Sequence, residues 1–465
     1  MAKYLHLFDS ASAFTEAYNG NDYHEPWVSY TEANEHVDYN KIPIVPLTFE
    51  VLSSGTINFG NYRVENETTI EYRKNGGEWT EIQSSPMGLD WHTNLYTGGT
   101  EIQVNSGDIV CFRGSNETYS NDGWAFYGFC PSTCVFNLKG NIMSLLGGEK
   151  DTLESAYTFY NMFYGCEGLI DVHELSLPAT TLSEGCYMSL FGRCSNLISV
   201  PELPATTLGK GCYNTMFNGC ASLVNVPLNL LTAPTSLEED CYNQMFVNCS
   251  SLSTLPTLPL TTLAPRCYFH MFGGCESITT IPSNYLPSTT LAESAYTGMF
   301  AGCTSLTATP NLTATIIPSY CYSEMFNCCR GLTTISPLSA TNLSSFACYR
   351  MFEECDSLTT LPSDLLPVTA LSTYCCASMF YGCDNLTTAP DLIATTLVES
   401  CYLNMFNWCS RLASVKCLAT DITANNCTKN WMSSVPNKGT FTKASSTSWS
   451  RDKNGIPTGW TVVNA

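Results

Sequence analysis

A block of apolar positions recurs about ten times between residues 150 and 430 and organises the whole chain. In residues 212–227, which form one copy, Met-Phe is followed by Cys and then Leu at steps of three residues after the Phe. A period of 26 to 29 residues separates the copies of this Phe, which lie at Phe163, Phe191, Phe217, Phe246, Phe272, Phe300, Phe326, Phe352, Phe380 and Phe406. Such a period is typical of stacked coils. We therefore predict a solenoid of about ten coils over residues 149–430.

The spacing inside each repeat predicts its local structure. The Cys-Tyr-x-x-Met-Phe block has apolar residues at i, i+1, i+4 and i+5, which predicts a single short helix. A strand is predicted at runs such as residues 251–255, and Pro256 closes it because proline cannot donate to a ladder. Residues 203–208 represent a second limb. Predicted core residues are Phe217, Cys220, Leu223, Phe246, Cys249, Leu252, Phe272, Cys275 and Ile278.

Residues 46–148 have the alternating pattern of β-strands. The runs 69–73 and 78–82 flank Asn75-Gly76, the strongest short hairpin signal because both residues tolerate positive φ. Further strands are predicted at residues 47–52, 101–104, 109–112 and 134–138. Together these runs predict a small antiparallel, Ig-like β-sandwich that forms the N-terminal cap of the repeats.

The first 45 residues interleave aromatic and acidic side chains without a lasting helical or strand period. Such a segment is too polar for its own core and too aromatic for a plain linker, so we expect it to order against another surface. It either packs on its own chain or acts as an arm that docks on a partner. The candidate docking residues are Tyr23, Trp27, Tyr30 and Tyr39.

The last 35 residues, 431–465, depart from the repeat and carry bulky residues, Trp449, Pro457 and Trp460. The open end of a stack of coils exposes a cross-section of its core, and bulky side chains would cover it. We therefore predict a C-terminal cap.

Composition narrows the function classes. The 465 residues carry a formal net charge of −21 with 13% charged residues, so the polar surface is built mainly from Ser, Thr, Asn and Gly. This balance argues against a nucleic-acid partner and against an anionic membrane surface, since both attract clustered Lys and Arg. No stretch is long and apolar enough to cross a bilayer.

Of the 25 cysteines, 18 recur at two fixed positions of the repeat. The N-terminal residues lack an apolar core of signal-peptide length, so we expect folding in a reducing cytosol. Ala295 and Ala347 replace Cys at the first position of the repeat, and parallel side-chain vectors in a stack disfavour the disulfide torsion. We therefore expect free thiols that pack as small hydrophobic groups.

Candidate chemistry is sparse. Cys130 and Cys134 could form a metal ligand pair, a disulfide or two inert thiols, and the missing second pair favours inert thiols. His173 and His270 fall at unrelated positions of the repeat, and residues 452–455 lack the later ligands of a calcium loop. No nucleophile–base pair or phosphate loop appears. The sequence therefore predicts a non-enzymatic protein without metal or cofactor.

The motif Met-Phe-x-Gly-Cys-x-Ser-Leu-Thr-Thr-x-Pro, as in residues 379–390, resembles the leucine-rich repeats of the BspA-like (Treponema-type) class. The resemblance covers residues 150–430. Proteins of this class are abundant in gut Bacteroidetes and their phages, and surface members are adhesins with export signals or lipid anchors. The segments 23–30 and 37–41 are similar instead to virion-attachment segments of Bacteroides phage structural proteins.

These resemblances imply a bacteriophage virion protein, assembled in the host cytoplasm, that serves as a head-associated fibre or decoration. The implied partners are capsid or other virion proteins, bound through the arm, and a host glycan or protein, bound by the Ser/Thr-rich faces of the repeat. A homotrimer would suit a fibre. The alternatives are a Bacteroidetes surface adhesin, a tail-associated receptor-binding protein, or a rigid spacer that binds nothing.

Overall fold

The computed structural model describes residues 45–64, 66–90, 92, 95–120, 122–129 and 132–465. Over these residues the chain is β-rich, with several separate sheets and almost no helix. The helix described there is a 3₁₀ helix of four residues, Ile142–Leu145, and its capping residue Asn141 accepts a hydrogen bond from the Met143 amide. The predicted β-rich class is confirmed.

The described residues contain 19 strands, most of them short. Strands β1 to β10 precede the repeats, and β18 and β19 end the chain. In chain order the strands are β1 (Leu47–Val51), β2 (Gly55–Tyr62), β3 (Thr69–Lys74), β4 (Thr80–Gln83), β5 (Ser85–Asp90), β6 (Leu95–Gly98), β7 (Thr100–Val104), β8 (Ile109–Arg113), β9 (Phe126–Gly128), β10 (Phe136–Asn141), β11 (Thr152–Leu153), β12 (Leu169–Ser176), β13 (Thr181–Leu182), β14 (Ile316–Ile317), β15 (Asn342–Leu343), β16 (Thr388–Leu392), β17 (Ser414–Cys417), β18 (Thr440–Lys443) and β19 (Thr461–Asn464).

Two sheets are built by the N-terminal strands. The first has six strands in the order β12-β10-β1-β8-β3-β4, and the second has five, in the order β6-β5-β2-β7 with β9 also paired to β2. Within the first sheet β1 is antiparallel to both β8 and β10, whereas β10 is parallel to β12. Because β12 belongs to the first repeat, backbone hydrogen bonds join the N-terminal sheet directly to the repeats.

The hairpin predicted at Asn75-Gly76 is confirmed. Strands β3 and β4 pair antiparallel, and Asn75 and Gly76 have φ angles of 52° and 72°. Strand β4 begins at Thr80, two residues later than predicted. The Asn75 side chain explains part of this loop, since its oxygen accepts from the Ile109 amide at 2.8 Å and its amide donates to Asp108 at 2.8 Å.

An aromatic cluster connects the N-terminal sheets to the first coil. The ring of Phe129 lies 5.1 Å from Phe49 of β1 and 5.2 Å from Phe59 of β2. On its other side it stacks on Phe163, the first core Phe, at 5.6 Å with an interplanar angle of 11°. Phe129 therefore continues the aromatic column of the repeats into the N-terminal core.

The Cys-Tyr-x-x-Met-Phe block forms consecutive turns, so the prediction of a short helix is wrong. Every fourth residue has a left-handed backbone, as at Gly211, Thr215 and Gly219, with φ angles of 58°, 55° and 76°. These residues interrupt the i to i−4 ladder that a helix requires. The turns close instead by i to i−3 bonds, such as the one from the Met216 amide to the Tyr213 carbonyl at 3.2 Å.

The backbone amides that do not bond within these turns donate to carbonyl groups of the next coil. Those of Tyr213 and Thr215 donate to the carbonyls of Cys241 and Asn243 at 3.1 and 2.9 Å. Along the block, amides therefore alternate between a partner in their own coil and a partner in the following coil. This alternation satisfies backbone donors that would otherwise be buried without partners.

The limb at residues 251–255 forms no strand, which contradicts the prediction. The Ser251 and Ser253 amides donate to the Ala221 and Val224 carbonyls at 3.2 and 3.0 Å, so the limb joins the preceding coil at separate points. A continuous ladder is not expected where Pro256 lacks a donor and neighbouring coils differ in length.

The C-terminal residues extend a sheet that starts in the repeats. Strands β16, β17, β18 and β19 form a parallel four-stranded sheet. Trp449 stacks on the fully buried Trp431 at 5.3 Å, and the buried Trp460 donates from its indole nitrogen to the Pro436 carbonyl at 2.8 Å. Trp449 and Trp460 therefore contact residues 431 and 436, which follow the last core Phe unit.

Candidate functional site

The predicted core residues line the interior of the coils. The core Phe rings from Phe163 to Phe406 stack on their neighbours with centroid distances of 5.5 to 5.8 Å. All nine representative core residues have an exposure of 0%: Phe217, Cys220, Leu223, Phe246, Cys249, Leu252, Phe272, Cys275 and Ile278. These residues can support a binding surface but cannot contact a ligand themselves.

The cysteine three residues after each core Phe is a hydrogen-bond donor as well as a packing residue. The Cys249 thiol donates to the Phe217 carbonyl of the preceding coil at 3.1 Å, and the Cys220 thiol donates to Phe191 at 3.2 Å. The same bond occurs from the second to the tenth core Phe unit at 3.1 to 3.3 Å. Sequence analysis missed this role, although the signal was present: this position is Cys in all ten units, whereas the first position accepts Ala.

The buried thiols of the interior are chemically inert. Burial raises the pKa of Cys249 to about 12, so this thiol stays protonated and donates its hydrogen at neutral pH. The 24 cysteines that the structure describes are all free, and no group of three or more His, Cys, Asp or Glu among the described residues could hold a metal ion. Cys134 is a buried free thiol, but its neighbour Cys130 lies outside the described residues.

The two histidines of the repeat have local partners. His173 is exposed, and its Nδ1 lies 2.6 Å from the Asp171 carboxylate. His270 packs its ring over Gly298 of the next coil, where a Cβ would meet the imidazole directly, and burial lowers its pKa. Gly298 also has a φ of 58°, so both space and backbone favour glycine there. These contacts give each histidine a structural role.

The Ser/Thr face predicted for ligand contact has two kinds of hydroxyl. In the first column, Thr307 and Thr387 donate to the carbonyls of Thr279 and Thr359 in the preceding coils, at 3.2 and 2.9 Å. At the next position, Thr280, Thr360 and Thr388 are exposed, and their hydroxyls make no hydrogen bond within the described part of the chain. Thr254 at the same position differs, since it accepts from the Val226 amide at 2.9 Å. The hydroxyls of Thr280, Thr360 and Thr388 are available to a ligand.

An open groove lies on the six-stranded sheet, with a volume of about 500 Å³. Its wall includes Glu71, Trp79 and Arg113. The Arg113 guanidinium lies 4.2 Å from the Trp79 ring centroid and donates twice to Glu71, at 2.7 and 3.0 Å, which lowers the pKa of that carboxyl. The charges of Glu71 and Arg113 therefore satisfy one another.

A partly exposed aromatic column formed by Tyr320, Phe346 and Tyr374 was not predicted. Its residues lie six positions before the core Phe of three consecutive coils. No prediction was made for that position, where most other coils have small or polar residues.

The candidate docking residues Tyr23, Trp27, Tyr30 and Tyr39 lie outside the described residues. Within the described part of the chain, no helix is long and apolar enough to span a membrane. No family model, curated protein or solved structure matches this chain.

Proposed function

We propose that this chain is a non-enzymatic virion structural protein of a bacteriophage, a head-associated fibre or decoration protein with an adhesive shaft. In this proposal the shaft is a leucine-rich-repeat solenoid of the BspA-like class. The two N-terminal sheets form an Ig-like β-sandwich that caps its first coil, and residues 431–465 cap its last coil.

One observation carries the adhesive part of the proposal: the interior is occupied by packing, while exposed hydroxyls such as those of Thr280, Thr360 and Thr388 have no partner within the described part of the chain. The core Phe rings and the thiol hydrogen bonds tie each coil to the next, as for Phe217 and Cys249. About ten coils at ~4.8 Å give a stiff rod roughly 50 Å long. Equivalent side chains along such a rod suit many weak contacts whose avidity adds up.

The attachment part of the proposal rests on the first 45 residues, where aromatic anchors are interleaved with acids. Large, rigid aromatic side chains are frequent anchors of protein interfaces. In the proposal, Tyr23, Trp27, Tyr30 and Tyr39 insert into capsid or neighbouring virion proteins, and the repeats project away from the particle.

The test is co-sedimentation with phage particles. The full chain is expected to pellet with purified particles, and a variant lacking residues 1–45 is expected to stay in the supernatant. A matched variant with Tyr23, Trp27, Tyr30 and Tyr39 replaced by Ser keeps the length of the arm and should also be released. Equal pelleting of all three proteins would contradict attachment through the arm, and recovery of the native chain with outer membranes instead of particles would favour a bacterial surface adhesin.

A further inference from the structure

Three consecutive coils place a bulky aromatic residue where the backbone is left-handed. Tyr320, Phe346 and Tyr374 have φ angles of 58°, 59° and 58°. All ten coils have a left-handed backbone at this position, so the aromatic side chains, and not the backbone, distinguish these three coils. The same position in the other core Phe units is occupied by Tyr157, Gly185, Gly211, Asp240, Arg266, Ser294 and Ser400.

The three rings form a continuous stack on the surface. Tyr320 stacks on Phe346 at 4.8 Å and 6°, and Phe346 stacks on Tyr374 at 4.7 Å and 5°. Tyr320 is 39% exposed, and the other two rings are half-buried. Ser294 and Ser400 follow at either end of the column, so the outer faces of the two tyrosines have no described ring against them.

The outer rings do not simply replace inner ones. In the Tyr320 coil the buried Tyr322 is retained, so the outer ring of that coil is an addition. Cys348 and Cys376 stand at the equivalent inner position of the other two coils, and both are fully buried.

The column beside the stack changes in the same coils. Ser319, Ser345 and Thr373 directly precede the three aromatic residues, are half-buried, and make no side-chain hydrogen bond within the described part of the chain. Five other coils have a charged residue at this position: Glu184, Lys210, Glu239, Glu293 and Glu399. Charge is thus absent from this column over the length of the stack, and a hydroxyl takes its place.

We propose that this strip, defined as residues 319–320, 345–346 and 373–374, binds a neutral polysaccharide segment that runs along the rod. Because the rings stack face to face, the surfaces left for the C–H faces and hydroxyls of sugar rings are the outer faces and hydroxyls of Tyr320 and Tyr374 and the edges of the stack. Unpartnered Ser and Thr hydroxyls can both donate and accept. The chain's net charge of −21 disfavours an acidic polysaccharide. The inference rests on the proposed adhesive function and assigns its ligand class and location.

The test compares a triple variant of the strip with a matched control. Tyr320→Ser, Phe346→Ser and Tyr374→Ser together give the strip the residue that already stands at Ser294 and Ser400, where φ is 56° and 54°, so the backbone is preserved. The matched control, Trp124→Ser with Trp408→Ser, removes two aromatic rings outside the strip that are 71% and 55% exposed. Both variants should show the circular dichroism spectrum of the native protein.

Binding is measured by affinity electrophoresis in gels containing mannan, xylan, β-glucan or the acidic alginate, and by adherence to host cells. The native chain is expected to be retarded by at least one neutral polysaccharide and not by alginate. The strip variant should bind that polysaccharide at least about tenfold more weakly, and the tryptophan control within about twofold of native.

The inference would be overturned if the strip variant were retarded as strongly as the native chain. It would also be overturned if alginate alone retarded the native chain. Adherence of the strip variant to host cells at the native level would also overturn it while leaving the adhesive function standing. Both variants are expected to co-sediment with particles as the native chain does. Failure of the attachment proposal can therefore be distinguished from failure of this inference.

Discussion

The thiol three residues after each core Phe allows a sharp test, because packing and hydrogen bonding predict opposite orders of stability. Cys249 has an exposure of 0%, and its thiol donates to the Phe217 carbonyl at 3.1 Å. Replacing it with Ala removes a hydrogen bond, about 1 kcal/mol, and the burial of one sulfur, about another 1 kcal/mol. Replacing it with Ser retains the donor, so the loss should be about 1 kcal/mol.

A matched control lies in the same coil. Cys241 occupies the first position of the repeat, is equally buried, and corresponds to Ala295 and Ala347 in other coils. Cys241→Ala should therefore cost about 1 kcal/mol or less. The assay is urea unfolding followed by circular dichroism, with amide hydrogen exchange of the Cys249 coil and its neighbours to detect local opening.

The expected order of destabilisation is Cys249→Ala greater than Cys249→Ser, with Cys241→Ala the mildest. If the thiol acted as a hydrophobic group alone, Ser would be the worse replacement, because it would bury a hydroxyl at additional cost. Equal losses for Ala at the two cysteine positions, or a larger loss for Ser than for Ala at Cys249, would refute the hydrogen-bonding role.

Three further predictions concern the interior. Leu252→Asp should disrupt the neighbouring coils, since it loses about 1.5–3 kcal/mol of burial and adds an unpaired charge, and an unchanged melting curve would contradict an inward-facing Leu column. Burial raises the pKa of the Cys249 and Cys303 thiols from 9.0 to about 12, so the unfolded chain loses these protons first. The free energy of unfolding should be unaffected by these thiols below pH 9 and fall between pH 9 and 12, as measured by urea unfolding across that range; a flat profile would argue against buried neutral thiols. Gly298→Ala should destabilise the chain by about 1–3 kcal/mol, because its φ is 58° and its Cβ would meet His270. His270→Ala in the same chain should recover part of that loss in thermal melts, and strict additivity of the two changes would count against the contact.

The tandem turns explain how the described repeats connect to one another almost without helix. Left-handed residues such as Thr215 and Gly219 redirect alternate amides toward the next coil, so the backbone itself forms the lateral connection. Two buried columns, the core Phe rings and the cysteine thiols, reinforce that connection. The surface positions are then free to vary between coils, as the strip at Tyr320, Phe346 and Tyr374 illustrates.

Much of the interior was predictable from the sequence, because burial follows the spacing of apolar residues along the chain. Phe246, Cys249 and Leu252 were assigned to the core from their three-residue steps, and all three are fully buried. The hairpin at Asn75-Gly76 was predictable for a similar reason, since its turn depends on two adjacent residues. The β-rich class followed from the same local patterns.

Only the tertiary structure decided what depends on neighbouring coils. Apolar residues at i, i+1, i+4 and i+5 fit both a short helix and turns of period four, and the bonds from Tyr213 and Thr215 to the next coil select the turns. Likewise, the sequence marks Thr387 and Thr388 as equivalent hydroxyls, yet one donates to the preceding coil and the other remains available. The sequence by itself determined the repeat period and the buried columns, because both follow from the spacing of residues along the chain. Hydrogen-bond partners and surface strips were decided by lateral stacking, which brings together residues 26 to 29 positions apart.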